Sequence, residues 1–293
     1  MGLITSTVIY ILLPFSGMLI SAYSGLFNDV ELDIGLEHYA EPAWLPVCNI
    51  MPLNSLINLG YVGLGLHWFG LTRTASHYGL LKDKDAVLFY TLNFSCVLYG
   101  FIQLLRIVTQ GVIWSVLDQW CTLPFFALLL VWGFFYQYGW SSKRAVFIMG
   151  VSLLSYMLSL FLKIGFEIAL GFHIIIAVCG ALMAYRQHPA QGSLTPFFLG
   201  LLSCLGFIVL KLLDHKLAEL CVIFRYVSGH FLSKICDIAQ IHFVNDFFLG
   251  LTLQKAADVS VEKQKQYFQH FKSNEYCDTN DIKYEVCRGP DTT

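Results

Sequence analysis

The chain has 293 residues, 56% of them hydrophobic and only 13% charged, with a formal net charge of -2 and a mean hydropathy of +0.62. A soluble domain carries about a quarter charged residues and has no interior large enough to hide this much apolar surface. Soluble enzymes, nucleic-acid binders and disulfide-stapled secreted modules are excluded, leaving a multi-pass protein whose first partner is the lipid bilayer.

In chain order, residues 3–27, 45–72, 86–105, 119–142 and 145–162 contain no Asp, Glu, Lys or Arg. A helix needs about 17–25 apolar residues to cross the hydrocarbon core, and these runs meet that length. Three further runs, 168–185, 194–213 and 230–253, are apolar but carry polar residues. Together they predict an all-α, polytopic bundle of about eight transmembrane helices over residues 1–253, followed by a polar tail at 254–293. The first run has no basic flank and no small-x-small cleavage site, so it reads as a retained helix rather than a signal peptide. The opening Met-Gly-Leu-Ile-Thr-Ser also fits an N-myristoylation pattern, although a helix beginning at Leu3 accounts for the same residues. In the tail, residues 261–272 place Phe268 and Phe271 on one side of a helix, but near-balanced charge predicts a solvated segment.

Basic residues predict the orientation. Arg73, Lys82, Lys84, Lys143, Arg144, Arg186 and the six Lys and Arg of the tail fall on one side, 12 in all, against Arg106, Lys163, Lys211, Lys216 and Arg225 on the other. The positive-inside rule then puts both termini in the cytosol and the acidic loop 29–41 on the lumenal or outer side. Residence in a Golgi-type endomembrane or the plasma membrane is expected. The acidic loop lacks the regular ligand spacing of a calcium site and reads as solvated charge. None of the nine cysteines forms a C-x-x-C pair. Cys48 and Cys221 fall near the lumenal side, where they would be free to pair. Asn93-Phe94-Ser95 matches a glycosylation acceptor but sits inside the third run.

The intramembrane polar residues collect in the lumenal half. Asn54 and Asn58 lie early in the second run, Gln103 and Arg106 end the third, and Asp118 starts the fourth. Glu167 and His173 begin the sixth; Lys211, Asp214 and His215 end the seventh; His230, Lys234 and Asp237 open the eighth. His230, Lys234 and Asp237 are spaced i, i+4 and i+7, and Asn54 and Asn58 i, i+4, so each set shares a helix face. Ionisable groups facing lipid cost about 2.5–3.5 kcal/mol by insertion scales, which turns such stripes inward. His67 and the His242/Asp246 pair are the exceptions, lying toward the cytosolic ends. Acids and bases nearly balance in the cluster, which permits mutual pairing; the bland alternative to a lined cavity is a network that only sets helix register.

Gly35-Leu36-Glu37-His38-Tyr39-Ala40-Glu41, Met51-Pro52-Leu53-Asn54-Ser55-Leu56-Ile57-Asn58, Leu117-Asp118-Gln119-Trp120, Phe166-Glu167-Ile168-Ala169-Leu170-Gly171, Leu202-Ser203-Cys204-Leu205-Gly206-Phe207 and Gly229-His230-Phe231-Leu232-Ser233-Lys234 closely resemble the transmembrane protein 187 family, over about residues 25–253. That family has no assigned activity. More distantly, the layout resembles the seven-helix membrane hydrolase superfamily of alkaline ceramidases and progestin/adiponectin receptors, with an extra helix preceding the core. The resemblance sets Asn54 and Asn58 on an N-x-x-x-N motif, Asp118 on the active-site Asp, Asp214 on a late carboxylate and His230 on the first His of a final H-x-x-x-H. The second His is Lys234 here, and Gln103 and Arg106 stand where the S-x-x-x-H motif should supply another. One of three zinc-binding histidines remains, whereas a zinc hydrolase needs about three protein ligands and an activated water. A salt bridge from Lys234 to Asp118 is expected in the metal's place.

These readings imply a non-catalytic, metal-site-degenerate relative of membrane lipid hydrolases, with a bound lipid and no cofactor. Zinc is disfavoured, His230 and His173 being its best remaining ligands. The alternative is a lipid amide or ester hydrolase of altered chemistry, with Asp118 or Asp214 as base and Arg106 and Lys234 as anion stabilisers. Asn54, Asn58, Gln103, Glu167, His173 and Asp237 are candidate binding residues beside that cluster. A small-solute or proton transporter is the third reading; it requires the polar stripe to continue to His67 and Asp246.

Overall fold

In the computed structural model the backbone is described for residues 3–32, 34–43 and 51–285. All regular structure among these residues is helical. In order come α1 (Leu3–Tyr23), α2 (Pro52–Leu56), α3 (Asn58–His77), α4 (Asp83–Thr109), α5 (Val112–Tyr138) and α6 (Ser142–Ser155). They are followed by α7 (Gly165–Gln187), α8 (Leu194–Leu212), α9 (Asp214–Leu220) and α10 (Gly229–Glu285). Cys48 lies outside the described residues, and with it any pairing to Cys221.

Five segments are long and apolar enough to cross a membrane: α4, α5, α7, α8, and Ser142–Leu160, in which a 3-10 turn lengthens α6. A shorter apolar stretch, Thr7–Tyr23, lies in α1. Polar residues dilute the other two expected spans, with Asn58, His67 and Arg73 in α3 and Lys234, Asp237 and Asp246 in α10. The second apolar run is not one helix. Among its described residues, helix begins with Pro52 at the first position of α2, a place where the missing N–H costs nothing, and breaks at Ile57 before α3. Past residue 253, α10 stays helical to Glu285, a stretch that includes the possible helix at 261–272. Glycine and proline are absent from there until Gly289, and helix-forming Gln, Lys, Glu and Ala are frequent. Met1–Thr252 and Leu253–Thr293 are separate compact units.

Close approach of backbones holds the membrane unit. A Cβ on Gly133 of α5 would stand 2.3 Å from the carbonyl oxygen of Gly180 of α7, and one on Gly180 2.5 Å from that of Leu129. Gly65 and Gly100 play the same part between α3 and α4, where a Cβ would meet Asn93 O at 2.6 Å and Asn58 O at 2.9 Å. Lipid is as apolar as leucine, so helices in it associate through such packing and through hydrogen bonds. The outer face is accordingly greasy, with Leu13, Phe147, Phe172 and Leu202 exposed.

Where α4 begins and α5 ends, the core is aromatic. Trp132 stacks on Phe248 with centroids 4.1 Å apart and meets Phe89 edge-on at 4.6 Å. The Tyr136 hydroxyl bonds to Thr252. Nearer the middle, Asn93 and Asn245 exchange two side-chain hydrogen bonds of 2.8 and 3.1 Å. Both amides are fully buried, which rules Asn93 out as a glycan acceptor in the folded bundle.

Candidate functional site

The opposite end, where α4 gives way to α5, holds the polar cluster. Gln110 in the left-handed conformation (φ 50°) stops α4, and Gly111 starts α5. This tight turn brings the last turn of one helix against the first turns of the next. Arg106 Nη1 donates to Asp118 Oδ2, with both side chains buried. Gln103 Nε2 donates to Asp118 Oδ1 and to the Tyr99 hydroxyl, each at 2.6 Å. The Tyr99 and Thr122 hydroxyls share a bond of 3.3 Å.

α10 joins from the side. Lys234 Nζ donates to Asn58 Oδ1 at 2.9 Å, and Asn58 Nδ2 donates to the Asn54 carbonyl at 2.9 Å across the break between α2 and α3. The Tyr61 hydroxyl donates to Asp237 Oδ2 at 2.7 Å. Lys234 therefore does not pair with Asp118 as expected. Arg106 reaches that carboxylate first because it sits on the helix joined to α5 by the tight turn, and Lys234 is left within electrostatic range of both Asp118 and Asp237.

Two further carboxylates hold backbone. Asp214 accepts from Ala40 N at 3.0 Å and from His230 N at 2.9 Å, tying the first loop to the start of α10. Glu41 accepts from Leu53 N and Asn54 N at 2.8 and 2.9 Å, meeting the free N–H groups that open α2. It is 3% exposed, so the acidic loop is not solvated charge throughout. Nothing local signals this role, because Glu41 lies eleven positions before Pro52 in sequence. In the same loop, exposed Glu31 pairs with Lys163 at 2.5 Å, and the carboxylate raises the lysine above its usual range.

Other sequence candidates fall elsewhere. Glu167 is exposed in the first turn of α7, where a carboxylate suits the helix dipole, and takes no part in the cluster. His173 Nδ1 lies 2.7 Å from Ala169 O and Nε2 2.9 Å from Ser152 Oγ, binding α7 to α6. The His230 ring packs edge-on against Tyr39 at 4.7 Å. His67 and Asp246 are exposed and do not prolong the cluster inward.

A cleft opens beside the cluster between α4, α5 and α10, with Asp237, Tyr99 and Thr122 at its polar end. A second lies among α5, α7, α8 and α10. Gln240, Phe126, Leu129 and Val244 line both. The buried Oε1 of Gln240 has no hydrogen-bond partner among the described residues. Sequence reading missed Tyr61, Tyr99, Thr122 and Gln240; Gln240 at i+3 from Asp237 was the one signal available.

The two imidazoles expected to serve zinc have separate surroundings, an ammonium stands at the next candidate position, and the described residues contain no group of three His, Cys, Asp or Glu able to hold a metal.

A model of the TMEM187 protein family matches residues 7–249. Human transmembrane protein 187 is 43% identical over 238 residues, covering 80% of this chain and 86% of the human protein. The protein of the same name from Bos taurus is 41% identical over 234 residues, 79% of this chain and 90% of the bovine one. No solved structure matches. With a family model running through nearly the whole helical bundle, the chain belongs to the TMEM187 protein family of membrane-spanning proteins.

Proposed function

We propose that this is a non-catalytic protein of about eight spans, in a Golgi-type endomembrane or the plasma membrane with both termini cytosolic. Its lumenal polar cluster braces the helices, and a lipid lies in the adjoining cleft. The observation that carries this reading is that the two carboxylates best placed to act as a base are already occupied. Asp118 has both oxygens engaged by Arg106 and Gln103, and Asp214 has both engaged by backbone N–H groups, so neither stands ready as a base. Placement of Asn58, Arg106, Asp118 and Lys234 at one end supports a hydrolase-like bundle whose metal site has become a charge network. The apolar cleft with the orphan acceptor of Gln240 supports a lipid carrying a hydrogen-bond donor.

One observation favours the lipid amide or ester hydrolase as a second reading: Asp237, bonded to Tyr61, borders the cleft instead of being sealed in the cluster. Elemental analysis and native mass spectrometry of the detergent-purified protein, beside His230→Ala and Gln240→Leu, separate the two. The non-catalytic reading expects no stoichiometric metal and a lipid adduct that Gln240→Leu weakens. Stoichiometric zinc that vanishes in His230→Ala overturns it.

A further inference from the structure

We propose that two copies of this protein associate side by side along the outer seam between α3 and α10, His67 of each copy pairing with Asp246 of the other. The inference rests on reading α3 and α10 as membrane spans. Three rungs place these helices parallel and in fixed register: Asn58 with Lys234, Tyr61 with Asp237, and Trp68 Nε1 donating to His242 Nδ1 at 3.2 Å. By that register, His67 and Asp246 lie within about one to one and a half helical turns of the same depth.

Both border the same seam. His67 adjoins Trp68, and Asp246 follows His242, the residue that Trp68 contacts, by one turn. Both are exposed, and neither side chain has a hydrogen bond or ion pair among the described residues. Asp246 lies within the apolar run 230–253, seven positions before its end. A carboxylate at that depth does not face lipid without a partner, and the cluster's Arg106, Asp118 and Lys234 are all turned inward.

A second copy supplies what the seam lacks. Two copies inserted in the same orientation are related by a two-fold axis along the membrane normal, which preserves depth and brings each His67 to the other's Asp246. The surface is thus self-complementary, the imidazole N–H of one copy facing the carboxylate acceptor of the other. Gly63 and Gly70, one turn to either side of His67, have nothing within 4 Å of where a Cβ would stand, so a neighbouring helix can come close.

The test counts subunits of the full-length protein, fluorescently tagged and reconstituted at low density in liposomes, by single-molecule photobleaching. The wild type is expected to be dimeric. His67→Asp and Asp246→His alone should each weaken self-association at least tenfold, since each places like groups opposite one another. Mixed together, the two variants should associate again, because the mixed dimer regains both opposite pairs. A monomeric wild type, or variants that self-associate as the wild type does, overturns the proposal. Labelling of Asp246→Cys by a membrane-impermeant maleimide, above the signal of the native cysteines, separates the premises. Protection in a monomer overturns the dimer alone; labelling removes α10 from the bilayer at that position as well.

Discussion

At the Asp118 end the helices are joined by Arg106–Asp118, Gln103–Asp118, Lys234–Asn58 and Tyr61–Asp237; at the other end α4, α5 and α10 meet through Trp132, stacked on Phe248 and edge-on to Phe89. Both ends lack the force that folds a soluble core, because an apolar side chain gains little by leaving lipid for a bundle. They differ in how failure is felt. An ion pair stripped of one partner leaves a charge in a medium that cannot solvate it, whereas an aromatic stack that loses a ring loses contacts alone.

The sharpest way to break this contrast is Arg106→Ala, which orphans the Asp118 carboxylate. We expect a loss of about 3–5 kcal/mol, with most of it recovered in the Arg106→Met/Asp118→Leu double variant. Reversible unfolding in mixed micelles measures both, and a double variant as unstable as the single one would end the distinction. At the aromatic end, Trp132→Ala should cost about 2–3 kcal/mol, below the roughly 3–5 of a soluble core because the transfer contribution is missing. Between the ends, either Asn93→Leu or Asn245→Leu should cost about 1–2 kcal/mol and the double variant less than their sum, a coupling that a double-mutant cycle reads directly. Smallest of all is the exposed Glu31–Lys163 pair outside the bundle. Its lysine is raised in the folded state, so its contribution is complete below the usual lysine range and fades as pH rises through the raised value. At such exposure neither Glu31→Gln nor high salt should move the unfolding midpoint detectably.

Counting along the apolar runs puts Arg106, Asp118, Asn58 and Lys234 at one level, and the structure gathers them at one end of the bundle. Pairing was not legible in the same way. Lys234 and Arg106 are equivalent cations by depth, and the choice of Arg106 for Asp118 depends on the tight turn at Gln110 and on how α4 and α5 are rotated. Glu167 shared the layer but faces outward, since α7 presents Ala177, Gly180 and Ala184 to the bundle instead. Glu41 was placed with solvated charge because its partners, the opening N–H groups of α2, carry no side-chain signature.

Composition and hydropathy alone determined that this chain enters a membrane as helices and which polar residues fall near the same end of their helices, because the bilayer imposes length and polarity one segment at a time. The tertiary structure alone decided which charges neutralise one another, which carboxylates cap backbone, and which ionisable residues, His67 and Asp246, remain on the outer face. Those outcomes depend on the rotation and register of one helix against the next. In lipid these are set by close backbone contacts and directional hydrogen bonds rather than by the hydrophobic pattern that made the spans readable.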